Sequence, residues 1–146
     1  MIAVEHLRKT FGDKVAVSDL SFSLQKGQTL ALVGTSGSGK TTTLKMLNRL
    51  IPPTAGRILL DGQDTSTLPL AEMRRQMGYV IQQIGLFPHY TVAENIAVVP
   101  RLLGHNEEET HERSKALLER LSLPPEEYLD RYPNELSGGQ QQRVGI

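Results

Sequence analysis

A glycine-rich nonapeptide at residues 34–42 constrains this chain more than any other segment. Its sequence, GTSGSGKTT, matches the phosphate-binding pattern G-x-x-x-x-G-K-[ST] at every fixed position. The apolar run 30–33 precedes it, and a helical pattern over 42–50 follows it. The sequence therefore predicts a strand, a tight loop and a helix, which is the context that this pattern requires in order to hold a polyphosphate.

The predicted loop has the chemistry of an anion site. Glycines allow backbone N–H groups to point inward, and the helix that follows presents its unpaired N–H groups and positive dipole end. Lys40 would place its charge on the β- and γ-phosphates of a nucleoside triphosphate, and the Thr41 hydroxyl would ligate Mg²⁺. A glycine-rich turn before an ordinary helix is the alternative. The predicted nucleotide contacts of this segment are Gly34, Thr35, Ser36, Gly37, Ser38, Gly39, Lys40, Thr41 and Thr42.

Composition narrows the classes of protein to consider. The chain has 146 residues, about one domain, and its 16 basic residues balance 16 acidic ones, so neither a nucleic-acid partner nor a basic membrane-binding surface is expected. It has no cysteine, which excludes disulfides and thiolate metal sites. No signal-peptide pattern or membrane-length apolar run occurs, so membrane contact is expected only through a partner. No metal-binding constellation is expected among His6, His89, His105 and His111.

Short strands dominate the predicted first part of the chain. Turn signals at Gly12-Asp13 and Lys26-Gly27 separate runs with apolar or alternating patterns. A short charged helix is predicted at 70–77. The predicted strands lie at 2–7, 14–17, 20–24, 30–33, 57–60 and 78–81, the last being of the buried type.

The pattern beyond residue 82 is helical. Thr91 is the predicted N-cap of a helix that runs to about Leu103, with a bend or interruption at Pro100. Asn106 is the predicted N-cap of a second helix, which the proline pair 124–125 ends. A last helix is predicted to start after Ser137.

A second motif, LSGGQQQR at residues 136–143, narrows the class of nucleotide-binding protein. A serine cap followed by two glycines leaves backbone N–H groups uncovered at a helix start, which again suits an anion. An ordinary serine-capped helix after a glycine turn is the alternative. Together with the loop at 34–42, the Leu-Ser-Gly-Gly-Gln sequence resembles the signature of the ATP-binding-cassette (ABC) family, and the resemblance extends over essentially the whole chain.

The resemblance implies an α/β fold of the P-loop NTPase class, an ABC-type nucleotide-binding domain. Its expected parts are an antiparallel β subdomain and core start at 1–33, a partial RecA-like parallel core with the P-loop at 34–81, and an α-helical signature subdomain at 82–146. The implied cofactors are ATP and Mg²⁺. The implied partner is a second copy bound head to tail, whose P-loop nucleotide would meet Ser137, Gly138, Gly139 and Gln140.

The resemblance also implies roles for three further positions. Phe11 lies where the family places an aromatic residue that stacks on adenine; a core or turn phenylalanine is the alternative. Gln82 matches the glutamine that touches Mg²⁺ and the attacking water, with Gln83 as the alternative. Lys40 and Gln82 are thus the expected catalytic residues, and Thr41 and Gln82 the expected metal contacts. The segment 86–89, LFPH, resembles the patch that receives a coupling helix of a membrane permease; a satellite core loop is the alternative.

The segment from Tyr79 to Pro100 is similar to the ATPase subunits of osmoprotectant importers. That similarity implies ATP hydrolysis coupled to uptake of glycine betaine, choline, carnitine or a similar quaternary amine, at the cytoplasmic face of the cell membrane. An extracytoplasmic solute-binding protein would be an indirect partner. The alternatives are a soluble ABC ATPase of DNA repair or the ribosome, which the compact spacer and balanced charge disfavour, and a non-hydrolysing regulatory fragment.

The printed sequence departs from the family pattern at its end. The family also has a second acidic strand with a Mg²⁺-supporting Asp and a catalytic Glu, a D-loop and a switch His, none of which can be assigned here. We therefore expect these 146 residues to be part of a longer cassette. Alone, they are expected to bind nucleotide weakly without turning it over, and to expose strand edges and apolar faces.

Overall fold

A computed structural model describes residues 1–81 and 85–146 of the chain. The chain divides into two compact units, Met1–Gly78 and Tyr79–Ile146, which are taken in turn. Gln82, the predicted contact of Mg²⁺ and water, lies outside the described residues together with its alternative, Gln83.

The first unit is built on an antiparallel sheet of four strands. The strands are β1 (Ile2–Phe11), β2 (Lys14–Leu24), β3 (Ala55–Leu60) and β4 (Gln63–Asp64), in the order β2-β1-β3-β4. A turn at Gly12 and Asp13 joins β1 to β2, and their register runs from Ile2 opposite Leu24 to Phe11 opposite Lys14. The turn was predicted, but the two predicted strands at 14–17 and 20–24 form one continuous strand.

The core of the first unit lies between this sheet and helix α1 (Lys40–Leu47). Its buried residues are Val4, Leu7, Met46 and Ile58. Val4 and Leu7 are three positions apart and would face opposite sides of a regular strand. The register of β1 shifts between them, and His6 has a φ of +49°, so the irregularity turns both side chains toward the core.

The rest of the first unit contains a 3₁₀ turn (Thr65–Thr67) and helix α2 (Leu70–Arg75), which is two residues shorter than predicted. The predicted strands at 30–33 and 78–81 were wrong, because both segments are irregular. Val33 is 91% exposed and Val80 is 59% exposed. A strand needs a hydrogen-bonded neighbour, and in the described residues every strand pair is antiparallel and excludes these two segments. The expected partial parallel core is therefore not formed there.

The second unit consists of helices. They are α3 (Val92–Leu102), α4 (Glu107–Arg120), α5 (Pro125–Tyr128) and α6 (Gly138–Val144), with a 3₁₀ turn at Pro133–Glu135. Helix α3 continues through Pro100, so the expected bend or interruption does not end it. Their buried core comprises Val92, Leu118, Leu123, Tyr128, Leu129, Leu136 and Val144. No helix in the described ranges is both long and apolar enough to cross a membrane.

The three predicted N-caps of the second unit are confirmed. Thr91 and Ser137 each form a reciprocal capping box, and the Asn106 side chain accepts from the N–H groups of Glu108 and Glu109. The proposal that the proline pair ends α4 was wrong. Helix α4 ends at Arg120, and Pro125 instead begins α5, because its fixed φ suits a first helical position.

Candidate functional site

The loop before α1 requires glycine where it meets the sheet. Gly37 and Gly39 have φ values of +83° and +91°, in the left-handed region. A Cβ on Gly39 would lie 2.5 Å from the carbonyl oxygen of Ala16 and 3.0 Å from Cγ2 of Val17. The end of the loop is thus seated directly against β2, and no larger residue fits that place without displacement.

The Lys40 side chain folds back into this loop. Its Nζ donates to the carbonyl oxygens of Gly34 and Thr35, at 2.9 and 2.8 Å, and to Oγ of Ser38 at 3.2 Å. The ammonium group therefore lies among the loop's own oxygens. A cation held there attracts phosphate oxygens and also holds the loop in one shape.

The start of α1 completes the anion-binding character of the loop. Gly39 is the N-cap residue and has no side chain to cover the first-turn N–H groups. Residues 34–38 and Thr41 are exposed, and Thr42 is partly exposed, so this end of the helix is accessible. A bare helix start beside a fixed ammonium group fits a polyphosphate.

Phe11 lies in the same unit, at the end of β1. Its side chain is 51% exposed, which rules out the alternative of a core residue. An accessible aromatic ring at a strand end suits stacking against a planar base. Within the described residues, no group of three or more histidine or carboxylate side chains is arranged to hold a metal ion.

The signature segment forms the start of α6 in the second unit. Oγ of Ser137 accepts from the N–H of Gln140 at 3.3 Å, and Oε1 of Gln140 accepts from the N–H of Ser137 at 2.7 Å. Gly138 and Gly139 are exposed between them. Nε2 of Gln140 donates to the hydroxyl of Tyr128 at 2.8 Å. Sequence reasoning missed Tyr128, since nothing in the local sequence connects it with a residue twelve positions away.

Asn95 shapes the segment 86–89 in the second unit. Its Oδ1 accepts from the N–H of Phe87 at 2.7 Å, and its Nδ2 donates to the carbonyl oxygens of Phe87 and Tyr90, both at 3.1 Å. Phe87 is 45% exposed and lies 5.4 Å from the Tyr90 ring, centroid to centroid. Asn95 therefore fixes the backbone that carries Phe87 and Tyr90, whose rings form an aromatic surface. The sequence predicted a surface at 86–89 but did not identify Asn95 as the residue that holds it.

A sequence profile for the ABC transporter family matches residues 17–146, which include both motifs. The chain belongs to the ABC transporter family. An ABC cassette binds ATP or ADP.

Several relatives within the family are named for the solute that they transport. The carnitine transport ATP-binding protein OpuCA of Listeria monocytogenes is 53% identical over 147 residues, covering 100% of this chain and 37% of that protein. The choline transport ATP-binding protein OpuBA of Bacillus subtilis is 50% identical, with 100% and 38% covered. The glycine betaine uptake system ATP-binding protein YehX of Escherichia coli is 49% identical, with 100% and 47% covered. The chain thus spans less than half the length of these relatives.

The ABC cassette fold is also found by comparison with solved structures. The dimeric structure of MJ0796, a bacterial ABC transporter cassette, superimposes with a TM-score of 0.90 at 32% identity. The match covers 100% of this chain and 67% of that one. A dimeric post-hydrolysis state of the same cassette, bound to ADP and Pi, gives a TM-score of 0.87 at 31% identity, with 99% and 67% covered.

Proposed function

We propose that this chain is the ATP-binding part of an ABC importer subunit that couples ATP binding and hydrolysis to uptake of a quaternary-amine osmoprotectant. The observation that carries the nucleotide-binding part is the Lys40 ammonium, held within 3.2 Å of three oxygens beside an uncapped, accessible helix start. The substrate class rests on the printed names of relatives that transport carnitine, choline and glycine betaine. No residue described here is proposed to touch the transported solute.

The proposed roles of the loop rest on the geometry of the first unit, and those of Thr41, Phe11 and Gln82 also rest on the family resemblance. The amides of residues 34–39 and the start of α1 bind the phosphates, and Lys40 adds a positive charge at the β- and γ-phosphates. Thr41 ligates Mg²⁺, and Phe11 stacks on the adenine. Bound Mg·ATP supplies the phosphoanhydride bond whose cleavage releases the free energy for transport. Gln82 is proposed to orient the attacking water.

The proposed partners contact the second unit. Ser137, Gly138, Gly139 and Gln140 of one copy would face the nucleotide on a second copy in a head-to-tail dimer, with the N–H groups of Gly138 and Gly139 left free by the capping box that Ser137 and Gln140 form. The two dimeric structures of the cassette MJ0796 support the pairing of two copies. The aromatic surface at Phe87 would receive a helix of the membrane permease, which would hold the protein at the cytoplasmic face of the membrane. An extracytoplasmic protein would deliver the solute.

Replacing Lys40 tests the nucleotide-binding role. We expect Lys40→Ala to weaken ATP binding by at least about ten-fold, because a charge-assisted contact to phosphate is lost. Lys40→Ala should also abolish ATP hydrolysis by the full-length subunit. Binding is measured by isothermal titration calorimetry in the presence of Mg²⁺, and hydrolysis by phosphate release.

Lys45→Ala is the matched control, because Lys45 lies on the same helix and is exposed near the opposite end. The control removes one positive charge without touching the loop, so its ATP affinity should stay near that of the wild type. Equal affinities for Lys40→Ala and the wild type, with both proteins folded, would contradict the proposed site.

A further inference from the structure

Lys9 holds the ring of Phe11 from one side. Its Nζ lies 5.0 Å from the centroid of the Phe11 ring, over the ring face. The same Nζ donates to the carbonyl oxygen of Pro52 at 2.7 Å, so the ammonium group has a fixed place between the ring and a backbone oxygen. A cation over an aromatic face is attracted by the negative potential of that face.

The end of β1 is also fastened to the segment that follows α1. The N–H of Thr54 donates to the carbonyl oxygen of Arg8 at 2.8 Å, and the N–H of Thr10 donates to Oγ1 of Thr54 at 3.0 Å. The carbonyl group of Pro52, the acceptor of Lys9, belongs to this same segment. The strand that carries Phe11 is therefore tied to the connection leaving the helix that carries Lys40.

The glycine-rich loop before α1 also contacts the hairpin of β1 and β2, on the β2 strand. Lys9 is paired with Val17 across β1 and β2, and Gly39 is seated against Ala16 and Val17. The loop therefore meets the strand pair at the level of Lys9, two residues before Phe11. A strand advances about 3.3 Å per residue. Phe11 therefore lies about 7 Å along β1 from Lys9, the level at which the loop contacts the hairpin.

We propose that Lys9 is a positioning residue for the nucleobase, acting through Phe11. Its ammonium covers one face of the ring and fixes the ring's tilt, and the adenine stacks on the other face. This inference rests on the proposed function, since it assigns to Lys9 the setting of the base platform in the same site. The Lys9 ammonium contacts the Phe11 ring and the Pro52 carbonyl oxygen, so its proposed contribution concerns recognition of the base.

The test compares two ligands, ATP and inorganic tripolyphosphate, which lacks the base. We expect Lys9→Met to weaken ATP binding by about three-fold, the size of an exposed cation–π contact, and to leave tripolyphosphate binding unchanged. Lys9→Arg, which keeps a cation over the ring, should restore ATP affinity. In a Phe11→Ala background, which itself lowers ATP affinity on the order of ten-fold, Lys9→Met should have no further effect. Calorimetry gives the affinities, and thermal melting confirms that each variant is folded.

Lys14→Met is the matched control. Lys14 is paired with Phe11 across the hairpin and carries the same charge as Lys9, so its removal reports any general effect of taking one positive charge from this hairpin. Equal losses of ATP and tripolyphosphate affinity in Lys9→Met, or no loss of either while Phe11→Ala loses ATP affinity, would overturn the inference alone. A wild-type protein that binds neither ligand would overturn the proposed function and the inference with it.

Discussion

Gly39 carries two constraints at once, a left-handed backbone and contact with β2. A Cβ there would lie 2.5 Å from the Ala16 carbonyl oxygen, whereas a Cβ on Gly37, at a similar φ, would have open space around it. Comparing alanine substitutions at the two glycines thus distinguishes the free-energy cost of a positive φ, which both variants have, from that of a steric clash, which only Gly39→Ala has. Alanine at a positive φ costs about 1 kcal/mol, and a clash with backbone adds about as much again or more.

We therefore predict that Gly39→Ala lowers the free energy of unfolding by about 1 kcal/mol or more beyond Gly37→Ala. Gly39→Ala should also weaken ATP binding, because the loop must move away from β2 to make room. Urea denaturation and ATP titration of the two variants provide the measurements. Indistinguishable stabilities would show that the loop does not rest on β2 in solution.

At the scale of elements, Asp64 caps the 3₁₀ turn between β4 and α2. Its Oδ1 accepts from the N–H of Ser66 at 2.8 Å. Hydrogen bonds from the Ser66 side chain and backbone lower the pKa of the Asp64 carboxyl, and the nearby Arg57 and Arg49 lower the same pKa further. Because its folded-state pKa is lowered, this carboxylate stabilises the fold above its unfolded pKa of about 4, and the stabilisation is lost as the pH falls through the folded-state pKa.

We predict that Asp64→Ala lowers the free energy of unfolding by about 1 kcal/mol at neutral pH, the usual cost of a lost cap. Asp64→Asn keeps an oxygen acceptor and removes the titration. The difference in stability between the wild type and Asp64→Asn should therefore shrink as the pH is lowered below about 4. Chemical denaturation at several pH values measures it, and a constant difference over that range contradicts the prediction.

The starts of α3, α4 and α6 were predictable from the sequence because the chemistry of their N-caps is local. Thr91, Asn106 and Ser137 each accept from N–H groups two or three residues ahead, and the sequence contains both partners of each contact. The strands predicted at 30–33 and 78–81 failed because a strand depends on a neighbour distant in the sequence. The loop at 34–42 was recognisable because its glycine and lysine spacing is itself the requirement of the site.

The supporting residues of the candidate site were not predictable. Lys9 reaches Pro52, 43 positions away, and Gln140 reaches Tyr128, 12 positions away. Asn95 looks like an ordinary polar helix residue until its four hydrogen bonds to the Phe87–Thr91 backbone are seen. Such contacts depend on tertiary packing, for which a single sequence has no periodic or motif signal.

At the scale of the whole molecule, two functions are proposed for separate units: binding of the copy's own nucleotide by the loop of the first unit, and permease contact by the Phe87 surface of the second. Substitution of a residue on the surface that is proposed to contact the permease should then affect transport without affecting ATP affinity. We predict that Phe87→Ala lowers uptake of labelled glycine betaine by at least about ten-fold, because truncation of a central aromatic contact removes much of an interface's binding energy. ATP binding should be unchanged.

The control for this prediction is Leu102→Ala. Leu102 is 61% exposed at the end of α3, so it is also an accessible apolar residue of the second unit. Cells that carry this variant should take up glycine betaine at the wild-type rate. Uptake is measured in cells in which the variant replaces the chromosomal copy. If the Phe87→Ala variant is present at normal abundance and uptake is normal, the aromatic surface at Phe87 is not the permease contact.

The arrangement of Lys40 within its loop has a thermodynamic consequence. An ammonium group that already has three oxygen neighbours has lost most of its rotational freedom before any nucleotide arrives. When a triphosphate binds, its oxygens replace loop oxygens as hydrogen-bond acceptors of the Lys40 ammonium group, which is already in place. The conformational entropy of ordering this side chain was therefore lost on folding and not on binding. We therefore expect the loop to keep one shape when nucleotide binds.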